Sequence, residues 1–127
     1  MEPKVLVIEV LVVDDYTPLR RATVEVLKSQ GFENILEAKS PEEGMKMFKE
    51  HKPDLVLMDI IMPSNRGIDL VKEIKRIDPK TKVVMLTVLS GEGPRKESLE
   101  AGADLYLVKP LTPEKVDEIK KILNFGN

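Results

Sequence analysis

The chain has 127 residues, about the length of one compact domain and enough to bury a substantial core. Its 20 basic and 22 acidic side chains nearly cancel, so no strongly basic field points to direct binding of nucleic acid. The absence of cysteine excludes disulfides, thiolate metal sites and cysteine nucleophiles.

The first predicted element is the apolar stretch VLVIEVLVV over residues 5–13, which we interpret as a strand ending with Val10–Val13. It is too short to span a bilayer, contains Glu9, and lacks both the basic start and the cleavage site of a secretion signal. We therefore expect no membrane insertion and a cytoplasmic protein. Residues 4–8 extend this strand unusually far, which favours an overlong strand or ordered tail, with an edge contact or dimer seam as the alternative.

The rest of the chain alternates short buried strands with amphipathic helices, the pattern of βαβ units around a parallel sheet. Four further strands are predicted at Ile35–Ala38, Leu55–Met58, Val83–Leu86 and Leu105–Val108. A hydroxyl residue followed by proline predicts three helix N-caps, at Thr17-Pro18, Ser40-Pro41 and Thr112-Pro113. Ser40 and Glu43 can also complete a capping box. The fourth helix is expected to begin near Pro94 and to end at Gly102.

Five polar residues follow the predicted strands: Asp14 and Asp15 the first, Asp59 the third, Thr87 the fourth and Lys109 the fifth. Ligands of open α/β sheets bind outside the carboxyl ends of the strands, so we expect these residues to converge. Carboxylates packed closely repel one another unless a cation intervenes, and an all-oxygen set suits a hard divalent ion. The sequence therefore predicts an acidic pocket that binds Mg²⁺ beside one lysine and one hydroxyl group.

Asp59 lies within an apolar run, LVLMDIIMPSNRGID over residues 55–69. Burying a carboxylate costs several kcal/mol unless it is paired, and Mg²⁺ and Lys109 would supply the compensating charge. A carboxylate can also act as a nucleophile towards phosphorus and form an aspartyl phosphate. Phosphoryl transfer needs mainly positioning and charge neutralisation, which a metal, Lys109 and the hydroxyl of Thr87 can provide. Ile61, two residues past Asp59, offers no carboxylate to activate water for fast turnover.

These residues resemble a family. The segments VLVVDD, LVLMDIIMPSNRGID, VVMLT and AGADLYLVKP, in this order, are similar to the receiver domain of two-component response regulators, of the CheY-like kind. The resemblance covers about residues 9–123 and leads us to expect a single receiver domain over residues 1–127 without an effector domain. It implies a flavodoxin-like, doubly wound α/β fold, (βα)5, with a five-stranded parallel sheet in the order 2-1-3-4-5.

The resemblance also implies roles for individual residues. Asp59 would be the phosphoacceptor, and Asp15 and Asp59 would bind Mg²⁺ directly. Asp14 would act largely through metal-bound water, and the main-chain carbonyl of Ile61 matches the remaining protein ligand. Contacts to the phosphoryl group are expected from Thr87 and Lys109.

The switch implied by the family lies at the neighbouring strand ends. Tyr106 matches the aromatic switch residue, which would turn inward as Thr87 moves towards the phosphate and alter the surface of helix four, strand five and helix five. The peptide bond between Lys109 and Pro110 is expected to be cis. In the loop after Asp59, Met62 and Pro63 would shape the chain, and Gly67 would serve backbone geometry.

Three apolar residues depart from the usual receiver pattern. Val88 occupies a position that is usually small, so access to the phosphoryl pocket is expected to be narrower. In this family the residues two past the phosphoacceptor and two past the threonine influence how water reaches the acyl phosphate. Here they are Ile61 and Leu89, which implies slow autodephosphorylation.

The resemblance implies a signalling phosphoacceptor, not an enzyme. Its partners would be a sensor histidine kinase or phosphotransfer protein and a downstream protein target, and the chain itself would be a monomer or weak dimer. Motor switch, phosphorelay intermediate and kinase regulator all fit. Two alternatives are a pseudo-receiver, an interaction module that has lost phosphorylation, and a haloacid-dehalogenase-type phosphatase. The phosphatase needs a second aspartate two residues past the nucleophile, where this chain has Ile61.

Overall fold

The computed structural model describes residues 8–62 and 67–123. Its strands are β1 (Glu9–Val13), β2 (Asn34–Ala38), β3 (Leu55–Met58), β4 (Lys82–Thr87) and β5 (Leu105–Val108). Its helices are α1 (Thr17–Ser29), α2 (Pro41–His51), α3 (Gly67–Ile77), α4 (Glu92–Ala101) and α5 (Pro113–Ile122). The prediction made for Pro63, and most of that made for residues 4–8, lies outside the described ranges.

The strands form one parallel sheet in the order β2-β1-β3-β4-β5, which confirms the flavodoxin-like fold. In the register of the central strands, Val13 lies opposite both Ala38 and Met58, and Met58 lies opposite Met85. The carboxyl ends of β1, β3 and β4 therefore meet at one edge, where Asp14 and Asp59 follow their strands and Thr87 is the last residue of β4, one residue later than the predicted strand end.

The core has two layers because side chains alternate across the sheet. Leu11 and Val13 pack on one face with Phe48 of α2 and Ile74 of α3. Val10 and Val12 pack on the other face with Leu27 of α1 and Ile119 of α5. Strands covered on both faces are continuously apolar, as the sequence of β3 shows. The polar residues that follow such strands are thus held on a rigid base.

The helix caps follow the sequence prediction at two of three starts. The hydroxyl of Ser40 accepts a hydrogen bond from the Glu43 N–H at 3.0 Å, and that of Thr112 accepts one from the Lys115 N–H at 3.3 Å. The capping box is displaced by one residue, since the Glu43 carboxylate accepts from the N–H of Lys39. α4 begins at Glu92, two residues before the expected start at Pro94, and is followed by Gly102 in a left-handed conformation.

The predicted N-cap at Thr17 is wrong. The cap position is Tyr16, which makes no side-chain capping bond, and Thr17 is already helical. The hydroxyl of Thr17 instead accepts a 3.3 Å bond from Arg20, one turn further along α1. Within the described ranges, no helix has the length and apolar character needed to cross a membrane.

Candidate functional site

Two aspartates and one lysine meet at the carboxyl edge of the sheet. The ammonium group of Lys109 donates to Oδ2 of Asp14 at 2.6 Å and to Oδ2 of Asp59 at 2.8 Å. The three side chains are only 5–7% exposed. The expected convergence of the strand ends is therefore observed for these residues. Thr87 is fully buried beside these residues. Its main-chain carbonyl accepts a 2.8 Å hydrogen bond from the Lys109 N–H.

The two carboxylates set the charge state of Lys109. Burial alone would lower the pKa of this lysine, because it penalises the charged ammonium. The hydrogen bonds to Asp14 and Asp59 and the negative charges of both residues act in the opposite direction and raise the pKa above its ordinary value. Lys109 is thus a firmly protonated cation with one aspartate on each side.

The remaining oxygens of the site fix the loops that follow the strands. Oδ1 of Asp14 accepts from the N–H of Tyr16 at 3.0 Å, and Oδ1 of Asp59 accepts from the N–H of Ile61 at 3.0 Å. The hydroxyl oxygen of Thr87 accepts in the same way from the N–H of Leu89, at 3.3 Å. Each site residue therefore closes a local turn over its two following residues, as aspartate and threonine commonly do.

Asp15 does not join this cluster. The residue is exposed, and in the described part of the chain no three acidic or histidine residues are grouped closely enough to form a ready metal site. The predicted meeting of three carboxylates is therefore observed only for Asp14 and Asp59. The donors still fit Mg²⁺, because this ion is usually held by one or two carboxylates and keeps several waters. The direct ligation expected from Asp15 and from the Ile61 carbonyl stays a prediction.

The loop after Asp59 is pressed against the start of α3. A Cβ atom on Gly67 would lie 2.4 Å from the main-chain oxygen of Asp59 and 2.8 Å from Cα of Ile60. No side chain fits there, so the expected backbone role of Gly67 is supported by its packing. Met62 is buried in the core beside α3, which anchors the same loop.

Tyr106 and Leu89 connect β5 to the loop before α4. The Tyr106 hydroxyl donates a 2.7 Å hydrogen bond to the main-chain carbonyl of Leu89, and the ring is half-buried against the core. Burial, and to a smaller extent the negative charge of Asp59, raise the pKa of the Tyr106 hydroxyl. The charge of Asp59 therefore affects the pKa of Tyr106, the residue expected to act as a switch.

The bond between Lys109 and Pro110 is cis, as expected. The ammonium group of Lys115, in the first turn of α5, donates to the main-chain carbonyls of Val108 and Pro110 on either side of Lys109. These contacts hold the chain around the lysine in place.

Apolar side chains are exposed in the loops that carry the site, and we call Tyr16, Ile61 and Val88 the apolar rim. In the described ranges, four large hydrophobic residues are exposed: Tyr16 at 57%, Ile61 at 43%, Val88 at 55% and Ile77 at 40%. Three of them lie in the loops that follow β1, β3 and β4, next to the site residues, while Ile77 lies at the far end of α3. Val88 is thus a surface side chain, and the narrower access expected from it stays a prediction.

Arg20 and Glu37 were not predicted as site residues. The Arg20 side chain is 7% exposed and donates to the main-chain carbonyl of Asp14 at 2.9 Å and to the Glu37 carboxylate at 2.9 Å. An arginine on a predicted surface helix gives no sequence signal for such a contact. Its partner Glu37 lies in β2 and not on the same helix, so the ion pair can be recognised only in the folded structure.

Comparison with known proteins places these features in a family. The response regulator receiver domain model matches residues 10–121. Chemotaxis protein CheY of Bacillus subtilis is 38% identical over 91% of this chain and 97% of its own length. CheY of Thermotoga maritima is also 38% identical, over 86% of this chain and 91% of its own length.

Solved structures agree with this assignment. A putative response regulator from Chloroflexus aurantiacus superposes with a TM-score of 0.85, at 30% identity over 92% of this chain and 98% of that one. A crystal structure of the CheX-CheY-BeF3-Mg complex from Borrelia burgdorferi contains a chain with a TM-score of 0.84, at 32% identity over 91% of this chain and 89% of that one.

Proposed function

The chain belongs to the response regulator receiver domain family and is a phosphoacceptor of two-component signalling, and from this we propose that Asp59 accepts the phosphoryl group. The donor is a phosphohistidine of a sensor kinase or phosphotransfer protein. The observation that carries this proposal is the buried contact of Asp59 with Lys109, 2.8 Å between carboxylate oxygen and ammonium nitrogen. This contact supports the proposal, because a carboxylate that attacks phosphorus needs a nearby cation to neutralise the phosphoryl oxygens.

The transfer exchanges one bond for another. An oxygen of the Asp59 carboxylate attacks phosphorus, and the bond from phosphorus to the histidine nitrogen breaks. The ring, which carries a proton on its other nitrogen, takes the bonding electrons and leaves as neutral imidazole. Lys109 moves from neutralising Asp59 to neutralising the phosphoryl oxygens, and Thr87 donates its hydroxyl hydrogen to one of them. No general base is required, because a carboxylate nucleophile carries no proton that must be removed before it attacks.

A divalent cation, Mg²⁺, completes the charge balance. Asp14, Asp15, Asp59 and the main-chain carbonyl of Ile61 would hold it. When bound, it neutralises the negative charge that develops on the phosphoryl oxygens. Two carboxylates, Asp14 and Asp59, share the single positive charge of Lys109. A second cation would balance the charge of this pair.

The output is a change in the surface of α4, β5 and α5. Thr87 and Tyr106 both contact Leu89, one through its N–H and the other through its carbonyl. When Thr87 turns towards a phosphoryl group it releases the Leu89 N–H, and the loop then repositions the carbonyl that anchors Tyr106. Phosphorylation thereby biases a two-state element, which a downstream protein reads.

The phosphodonor contacts the apolar rim of Tyr16, Ile61 and Val88. Asp59 is buried while these side chains are exposed on the neighbouring loops, so a protein that brings a phosphohistidine to Asp59 is expected to contact them. Aliphatic residues around the donor histidine would complement them, because burial of apolar surface stabilises association.

The two other functions are less well supported. A haloacid-dehalogenase-type phosphatase requires an aspartate where this chain has Ile61. A pseudo-receiver would lack part of the reactive group, whereas Asp59, Asp14 and Lys109 are in contact. Labelling of Asp59 by a small phosphodonor in the presence of Mg²⁺ separates a receiver from a pseudo-receiver.

A further inference from the structure

Arg20 is a buried cation in the first turns of α1, beside the reactive group but not part of it. Its guanidinium makes three contacts: Nε to the Glu37 carboxylate at 2.9 Å, one terminal nitrogen to the Asp14 carbonyl at 2.9 Å and the other to the Thr17 hydroxyl at 3.3 Å. A buried guanidinium is costly unless its charge and its donors are satisfied, and this arrangement satisfies both.

These contacts fix the backbone on both sides of Asp14. Its N–H donates to the Ala38 carbonyl at the end of β2, 3.1 Å away, and its carbonyl accepts from Arg20. Arg20 is in turn held by Glu37, the neighbour of Ala38 on the same strand. Ala38 thus restrains Asp14 directly, and Glu37 restrains it indirectly through Arg20.

The carbonyl of Asp14 belongs to the same planar peptide group as the nitrogen of Asp15. Fixing that carbonyl therefore fixes the direction in which the chain enters Asp15. Asp15 is exposed and does not share the Lys109 contact of its neighbour. Its orientation thus depends on the backbone that Arg20 holds.

We propose that Arg20 is a positioning residue, which fixes the peptide between Asp14 and Asp15 and thereby sets the affinity of this acidic pair for a divalent cation. The inference rests on the proposed function, in which both aspartates serve the Mg²⁺ site. Partners that orient metal ligands typically change metal affinity about 10- to 100-fold when they are altered.

Arg20→Lys tests this role, because an ammonium group keeps the charge next to Glu37 but cannot span the three acceptors in the fixed geometry of a guanidinium. Arg21→Lys is the matched control. Arg21 pairs with the same Glu37 carboxylate, but its side chain is exposed and no contact joins it to Asp14 in the described structure.

The dissociation constant of Mg²⁺ is measured by calorimetry on the full chain, with denaturation curves as a separate measure of folding. We expect Arg20→Lys to raise this constant about tenfold, and Arg21→Lys to leave it within about twofold of wild type. Equal constants for wild type and Arg20→Lys, or equal weakening by both variants, would overturn the proposal. A purely structural role for Arg20 would lower stability without changing Mg²⁺ affinity in the folded protein.

If Arg20→Lys does not fold, Glu37→Gln serves as the test variant for the role of Arg20. This change keeps an acceptor oxygen for Arg20 but removes the charge that holds the guanidinium, so Mg²⁺ binding weakens at least about threefold. Unchanged binding would overturn the proposal. Labelling of Asp59 at saturating Mg²⁺ tests the phosphoacceptor itself, so the two proposals can fail separately.

Discussion

The ammonium nitrogen of Lys109 lies 2.8 Å from a carboxylate oxygen of Asp59, although 50 residues separate the two in the sequence. The same nitrogen lies 2.6 Å from Asp14. One buried cation thus stabilises two buried anions at the ends of different strands, and its loss would leave both with main-chain N–H partners but without a compensating positive charge.

Replacing Lys109 with methionine keeps an unbranched side chain that is one atom shorter and removes its charge. We expect the free energy of unfolding to fall by about 3 kcal/mol or more, because buried charges lose their partner. Urea denaturation at neutral pH measures this change, with Lys121→Met on the exposed side of α5 as control. Equal losses for the two variants would show that the ion pairs contribute little. Adding Asp59→Asn to Lys109→Met should recover part of the loss.

The pH dependence of stability has a defined sign at Lys109. Its pKa is raised in the folded state, so folding favours the protonated form. The resulting stabilisation is fully present below the ordinary value of 10.5 and is lost as the pH rises through the higher folded value. The difference in unfolding free energy between wild type and Lys109→Met should therefore shrink as the pH rises above 10.5 and through the raised folded pKa of Lys109. A constant difference over that range would contradict the shift.

Tyr106 should report the charge of Asp59. Its pKa is raised by burial and, to a smaller extent, by the negative charge of Asp59. In a Tyr16→Phe background Tyr106 is the remaining tyrosine, and its ionisation can be followed by ultraviolet absorbance. We expect Asp59→Asn to lower this pKa part of the way towards its ordinary value. An unchanged titration would mean that Tyr106 does not sense the charge at position 59.

The apolar residue Ile61 should slow hydrolysis of the acyl phosphate. Ile61 is exposed beside Asp59 and offers no group that can hold or activate a water molecule. We expect Ile61→Asn to accelerate decay about tenfold, a change of about 1.4 kcal/mol in the barrier. Loss of the phosphoryl adduct is followed by intact mass, with the remote exposed substitution Ile77→Asn as control. A half-life of seconds for the wild-type adduct would contradict slow autodephosphorylation.

The apolar rim should matter for a protein donor more than for a small one. We compare the rate of phosphorylation by a protein donor with the rate by acetyl phosphate. Tyr16→Ser combined with Val88→Thr is expected to reduce this ratio at least about tenfold. The numerator is the rate with a phosphorylated histidine domain of a sensor kinase that phosphorylates the wild-type protein, and the denominator is the rate with acetyl phosphate. Ile77→Thr, at similar exposure but away from the rim, should leave the ratio unchanged. A wild-type rate that the protein donor does not increase would contradict docking at this rim.

The sequence predicted the meeting of Asp14, Asp59 and Lys109 because the ends of parallel strands share one edge of a sheet, whatever the chain between them. It did not predict that Asp15 stays outside the buried group, since adjacent residues after a strand need not point the same way. The helix start at Thr17 was misplaced by one residue because Asp14 already closes the turn at Tyr16. Arg20 and Glu37 were not predicted as site residues, because a long charged side chain can be either exposed or buried. Tertiary packing determines which of the two occurs.

The most direct test is the identity of the phosphorylated residue. The protein is incubated with acetyl phosphate and Mg²⁺, and its intact mass is measured for the wild type, Asp59→Asn and the control Asp117→Asn, which alters an exposed aspartate on α5. We predict one phosphoryl adduct in the wild type and the control, and none in Asp59→Asn or when Mg²⁺ is omitted. An adduct that persists in Asp59→Asn, or a wild-type protein that remains unmodified with Mg²⁺ present, would contradict the assignment of Asp59 as the phosphoacceptor.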